Sequence, residues 1–176
     1  MKQDLKNMTV AELEGFLTGI GEPKYRAGQI FRWIHRGVCE FAGCSDLSRA
    51  LRERLAEVAF ITALQAEAVQ VSAKDGTRKY LFALADGNAI ESVFMRYRHG
   101  NSVCISSQAG CRMGCSFCAS TIGGLSRDLT AAEMLDQVLA IGRDTGENIS
   151  NVVVMGTGAP FDNYANLSRF LELIHD

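Results

Sequence analysis

Apolar positions Val10, Leu13, Phe16 and Leu17 recur at helical spacing behind Thr9, and Glu12 stands three residues after that threonine, the arrangement of a capping box. The pattern predicts a helix opening at residue 10. Gly21, Glu22 and Pro23 break it. Tyr25, Ile30, Phe31 and Ile34 then repeat on one face of a second helix, and Leu47 to Val58 forms a third amphipathic stretch. Residues 1–62 are therefore expected to make a small helical domain. Over 63–100 the pattern shortens to the extended runs Ala66–Val71, Arg78–Leu84 and Ala89–Met95, separated by the hairpin signals Lys74-Asp75-Gly76 and Asp86-Gly87. Two or three antiparallel strands are expected to bridge to a second domain. From Ser102 onward the units alternate: strand Val103–Ser106, a long loop, helix Thr130–Arg143, strand Val152–Met155, and a helical pattern from Asn163 to His175. This order predicts an α/β class, with the start of a parallel sheet over 101–176.

With 176 residues and an apolar fraction of 47%, the chain can bury a core. A net charge of −2 gives no global signature of a nucleic-acid binder, so any RNA contact has to come from a local patch. Lys24, Arg26, Arg32, Arg36, Arg49, Arg52 and Arg54 concentrate positive charge in the helical region, diluted by Glu22, Glu40, Asp46 and Glu53. On the residues alone, either a solvated helical surface or an RNA-binding face fits that mixture. No apolar run reaches the length of a membrane span, and the first residues lack the apolar core of a signal peptide. A cytoplasmic location is expected, where thiols stay reduced and available to metal.

That last point matters because Cys111, Cys115 and Cys118 lie at spacings of four and three, with Phe117 directly before the last. Three thiolates on one loop can each bind one iron of a cubane cluster and leave the fourth iron without a protein ligand. Structural zinc is the competitor, but it takes four ligands, commonly in paired groups, and His35, His99 and His175 are all distant in sequence. Cys39 and Cys44 stand apart and are read as ordinary thiols.

The stretch from Cys104 through Cys111, Cys115 and Cys118 to Arg127, Asp128 and Thr130 resembles the radical S-adenosylmethionine (SAM) RNA methyltransferases of the RlmN/Cfr family. The resemblance extends to Gly21–His35, to the segments opening at Asp75 and Asp86, and to Asn151–Tyr164, so nearly the whole chain is covered. It implies a partial barrel of six βα units, with the cluster loop after the first strand. Two units are present here. A full eight-unit barrel needs about 250 residues, so the chain is expected to be the N-terminal half of a longer protein. Its end within the helical pattern at Leu173–Asp176, without a capping glycine, agrees.

The same resemblance implies a 4Fe-4S cluster on Cys111, Cys115 and Cys118, with SAM on the open iron. Electron transfer would cleave SAM to methionine and a deoxyadenosyl radical, and Phe117 would cover one side of the cofactor. The second SAM element would be the turn Met155–Pro160, with Gly156, Gly158 and Ala159 lining the site. Glycines at the C-terminal edge of a parallel strand also suit close backbone approach to a ligand on physical grounds. The family turn ordinarily reads Gly-Glu-Pro, and its glutamate helps hold the SAM amino group. Ala159 cannot accept that hydrogen bond, a loss of about 1.5–3 kcal/mol, so weakened SAM binding is expected.

Glu91 matches the carboxylate that takes the proton from adenine carbon 2, although a strand glutamate alone would read as a surface ion-pair partner. Cys104 matches the cysteine that resolves a covalent protein–RNA intermediate by forming a disulfide. Its partner is a C-terminal, methyl-carrying cysteine outside this sequence, so the chain alone is expected to be inactive. The implied activity is methylation of adenine carbon 2 in 23S rRNA and tRNA. Residues 1–62 would be an accessory RNA-binding domain, an electron donor such as flavodoxin would serve the cluster, no membrane would be involved, and the full-length protein would be a monomer. The alternatives are a non-catalytic truncated relative that keeps cluster and RNA binding, and a Cfr-type carbon-8 methyltransferase.

Overall fold

The computed structural model describes residues 2–175, so Asp176 lies outside the described residues. Thr9 Oγ1 accepts the Glu12 amide N–H while the Glu12 carboxylate accepts the Thr9 N–H. This reciprocal pair opens α1 (Val10–Gly19), as the sequence predicts. α2 (Arg26–His35) buries Ala27, Ile30, Phe31 and Ile34. Tyr25 does not share that face: it precedes the helix and is 64% exposed, with the Arg26 guanidinium 5.0 Å from its ring centroid. α3 (Arg49–Val58) starts at the capping hydroxyl of Ser48 and buries Leu51 and Leu55. Leu13, Leu17, Ile30, Ile34 and Leu55 meet in one apolar core. At its edge β1 (Gln3–Asp4) pairs in parallel with β2 (Ala59–Phe60), which joins the two ends of the helical unit.

Next come β3 (Gln65–Val71), β4 (Arg78–Ala83), β5 (Ala89–Tyr97) and β6 (Gly100–Cys104), each antiparallel to the one before it. Gly76 and Gly87 turn the two hairpins with φ of +70° and +85°. A short hairpin follows, β7 (Gln108–Gly110) with β8 (Leu125–Asp128), and then α4 (Ala131–Thr145). β9 (Asn151–Val153) pairs in parallel with β6, and α5 (Tyr164–His175) ends the described chain. The strand order is therefore β3-β4-β5-β6-β9 in one sheet. The antiparallel strands expected over 63–100 are thus continuous with the sheet that carries the βα units. The strand expected at 103–106 runs instead from 100 to 104, because the backbone of Ser106 turns away to bond the side chain of Gln137.

Thr130 and Glu133 form a second capping box at the start of α4, and Gly146, with φ +68°, ends that helix. One face of the sheet carries Tyr80, Phe82, Ile90, Phe94 and Val103, which pack with Met134, Leu135 and Ile141 of α4 and with Phe170 and Leu173 of α5. The alternate positions Leu81, Glu91, Val93, Cys104 and Val153 are half-buried or exposed. Among the described residues no helix is long and apolar enough to cross a membrane.

Candidate cofactor and catalytic site

Gly110 closes the hairpin from which the cysteine loop hangs. Its φ is +77°, and a Cβ there would lie 2.0 Å from the Gly124 carbonyl oxygen. Only glycine fits. The next residue, Cys111, donates its N–H to Gly124 (3.0 Å), so the first thiol is buried at the base of the loop. Cys115 is exposed and Cys118 half-buried, and the Cys118 N–H closes a turn on the Cys115 carbonyl at 3.1 Å. Phe117 between them is 91% exposed. All six cysteines are free. By chemistry the three loop thiols fit a cluster held by three thiolates. By geometry the loop stands open: among the described residues no three His, Cys, Asp or Glu side chains are gathered closely enough to hold a metal ion.

The glycine-rich turn lies against the segment that leads into this loop. Gly156 N–H donates to the Ile105 carbonyl (2.9 Å), Thr157 N–H to Ser106 Oγ (2.9 Å) and Ala159 N–H to Gln108 Oε1 (2.8 Å). In return, the Ser107 N–H reaches the Thr157 carbonyl at 3.0 Å. A Cβ on Gly156 would stand 2.7 Å from Ser106 Oγ, and one on Gly158, whose φ is +109°, 2.7 Å from Gln108 Cβ. The glycines here admit the chain's own residues 105–108. The turn and the cysteine loop are thereby built as neighbours, and the Arg112 guanidinium reaches across to Asp162 at 2.5 Å. Arg112 holds the Asp162 carboxyl below the usual carboxylate range.

Glu91 and Cys104 come together on the sheet. Val93 pairs with Cys104, so Glu91, two residues before Val93, is a diagonal neighbour of Cys104 on the same face. The Glu91 carboxylate is 2.6 Å from Lys79 Nζ, with both side chains about half exposed. Burial pushes the Cys104 thiol up, and a backbone hydrogen bond from Met155 opposes the shift.

The profile of the ribosomal RNA large subunit methyltransferase N-terminal domain matches residues 3–61. A probable dual-specificity RNA methyltransferase RlmN of Lachnospira eligens is 55% identical over 174 residues, which are 98% of this chain and 50% of that protein. Its counterpart in Alkaliphilus oremlandii is 51% identical over 175 residues, covering 99% of this chain and 51% of the relative. The crystal structure of a radical SAM methyltransferase from Sphaerobacter thermophilus superposes with a TM-score of 0.91 at 41% identity, over 99% of this chain and 52% of that one. The chain belongs to the RlmN family. It spans about half the length of the curated relatives it matches.

Within this RlmN-family frame, the residues that brace the site are ones the sequence did not single out: Ser106, Gln108, Arg112, Gln137 and Asp162. Gln108, fully buried, donates to both Asp128 (2.8 Å) and Asp162 (3.1 Å) while accepting from Ala159. Gln137 is also fully buried. Its place among Met134, Val138 and Ile141 on the apolar stripe of α4 is the one signal by which it could have been found.

Proposed function

We propose that this chain is the cofactor-binding half of a radical SAM methyltransferase acting on carbon 2 of adenine in 23S rRNA and tRNA, in the cytoplasm. The observation that carries the reading is the juxtaposition of three free thiols on one loop, the glycine-rich turn beside that loop, and a sheet face holding both Glu91 and Cys104. Cys111, Cys115 and Cys118 would hold a 4Fe-4S cluster, with Gly156, Gly158 and Ala159 lining the SAM site. When bound, this pair supplies a reducing electron and a hydrogen-abstracting radical, with an electron donor such as flavodoxin.

The chain's own residues do the rest. Exposed Cys115 and half-buried Cys118 would complete the donor set with the buried Cys111. Glu91 accepts the proton from adenine carbon 2, and its ion pair with Lys79 holds the carboxylate on the sheet face. Cys104, once deprotonated, attacks the sulfur that links RNA to protein: the disulfide forms as the carbon–sulfur bond breaks, and the electron pair of that bond stays with the adenine-bound carbon, which takes up a proton to become the methyl group of the product. The cysteine that would carry the methyl lies outside this sequence, so the chain alone binds cofactor without turnover. Residues 1–62 serve as the RNA-binding accessory domain, and 63–100 lead into the barrel start at 101–176.

Anaerobic reconstitution tests this. About four irons and four sulfides per chain, lost when Cys111, Cys115 and Cys118 are replaced by Ala and perturbed by added SAM, is the expected result. Zinc, or no metal, on a folded chain would overturn it.

A further inference from the structure

Antiparallel pairing of Val93 with Cys104 puts Ser106 opposite Glu91 in continued register, yet the ladder stops at Cys104. The backbone of Ser106 is diverted: its N–H donates to Gln137 Oε1 (2.8 Å) and its carbonyl accepts from Gln137 Nε2 (3.0 Å). Gln137 also accepts the Ser92 hydroxyl at 2.8 Å, so one buried amide fixes both strands to α4. The Ser106 side chain then takes over the missing rung. Its Oγ donates to the Glu91 carbonyl at 2.7 Å and accepts the Thr157 N–H at 2.9 Å. Ser106 is fully buried, and a Cβ on Gly156 would clash with its oxygen at 2.7 Å. One hydroxyl thus joins the backbone that bears the candidate proton acceptor to the backbone of the glycine-rich turn.

We propose that Ser106, oriented by Gln137, is a positioning residue that sets the placement of Glu91 relative to SAM bound at the 155–159 turn. Its hydroxyl is bonded both to the strand of Glu91 and to that turn. Burial excludes water from replacing the bond, so removing the hydroxyl leaves the Thr157 N–H and the Glu91 carbonyl without that partner. The functional half of this inference rests on the SAM-binding reading above, while the brace itself does not.

The experiment compares the full chain with its Ser106→Ala and Ser106→Thr variants by amide hydrogen exchange, and then by SAM titration of the reconstituted cluster. In Ser106→Ala, exchange over 155–159 should accelerate about tenfold or more, iron content should hold, and SAM affinity should fall about tenfold, the worth of one buried hydrogen bond. Ser106→Thr, which keeps the hydroxyl, should restore both readouts. Unchanged exchange over 155–159 in Ser106→Ala would overturn the brace. Faster exchange with unaltered SAM affinity would overturn the positioning role. If the parent chain holds no SAM-responsive cluster, the proposed function fails and the positioning role falls with it, while the exchange result still decides the brace.

Discussion

Lys6 Nζ stands 2.5 Å from Asp136 Oδ1, with both side chains wholly buried, where the helical unit meets α4. Lys6 also donates to the Thr62 carbonyl, and Asp136 accepts the Leu64 N–H at 2.6 Å and the Arg143 guanidinium at 3.2 Å. Burial lowers the lysine's proton affinity, and the aspartate opposes that shift. The two structural units are therefore held by a charged pair that cannot lose one member cheaply. Asp136→Ala should cost about 3–5 kcal/mol in urea denaturation, because an ammonium is left buried without its counter-ion. A change below about 1 kcal/mol would show that the pair is not buried in solution.

Gly110→Ala should destabilise the chain by roughly 2 kcal/mol or more, combining left-handed strain with collision against Gly124. Gly87→Ala, with φ +85° and open space around it, should cost only the strain, roughly 1–2 kcal/mol. Urea midpoints of the two variants, compared side by side, check the contrast.

At pH 8, an alkylating reagent followed by peptide mapping should label Cys115 first and Cys44 last. Burial, aided by Asp46 and opposed by Arg52, pushes the Cys44 thiol up to about 11. The unfolded chain then releases this proton at lower pH than the folded one, so stability should fall as pH rises from the ordinary thiol value of 9.0 toward about 11. Replacing Cys44 by Ala should remove that alkaline slope.

Ala159→Glu should tighten SAM binding to the reconstituted chain about tenfold to a hundredfold, by returning the carboxylate that the family turn ordinarily carries. Equilibrium titration followed by the cluster's spectrum measures it. No gain would mean that Ala159 does not line the SAM site.

Arg32 on α2 and Arg36 just after it are exposed, neither has a carboxylate partner among the described residues, and the Arg36 guanidinium lies 5.6 Å over the Trp33 ring. Replacing each by Glu should weaken RNA binding several-fold, and each variant should lower the slope of log affinity against log salt by about one. Arg49→Glu should do less, since Arg49 is already paired with Glu53. Fluorescence anisotropy with a tRNA over a salt series distinguishes them.

Helices were legible where sequence chemistry acts locally. The box at Thr9–Glu12 placed the start of α1, the alternation of units placed α4 from Thr130, and the glycines at 76 and 87 placed the hairpins. β1 and β2 were invisible because two-residue strands have no periodicity. The three thiols were legible as a motif, but the openness of their loop was not, since spacing says nothing of conformation. Ser106, Gln108 and Gln137 escaped because polar residues buried by mutual hydrogen bonding look, in one dimension, like surface residues.

The five-stranded sheet ends at β9, which is bonded on one side only among the described residues, and beside it Val153 is 38% and Met155 80% exposed. Such a border is a template for edge-to-edge addition. For the chain handled by itself, pairing of two such borders is expected to rise with concentration, so dilution is the direct way to keep copies apart.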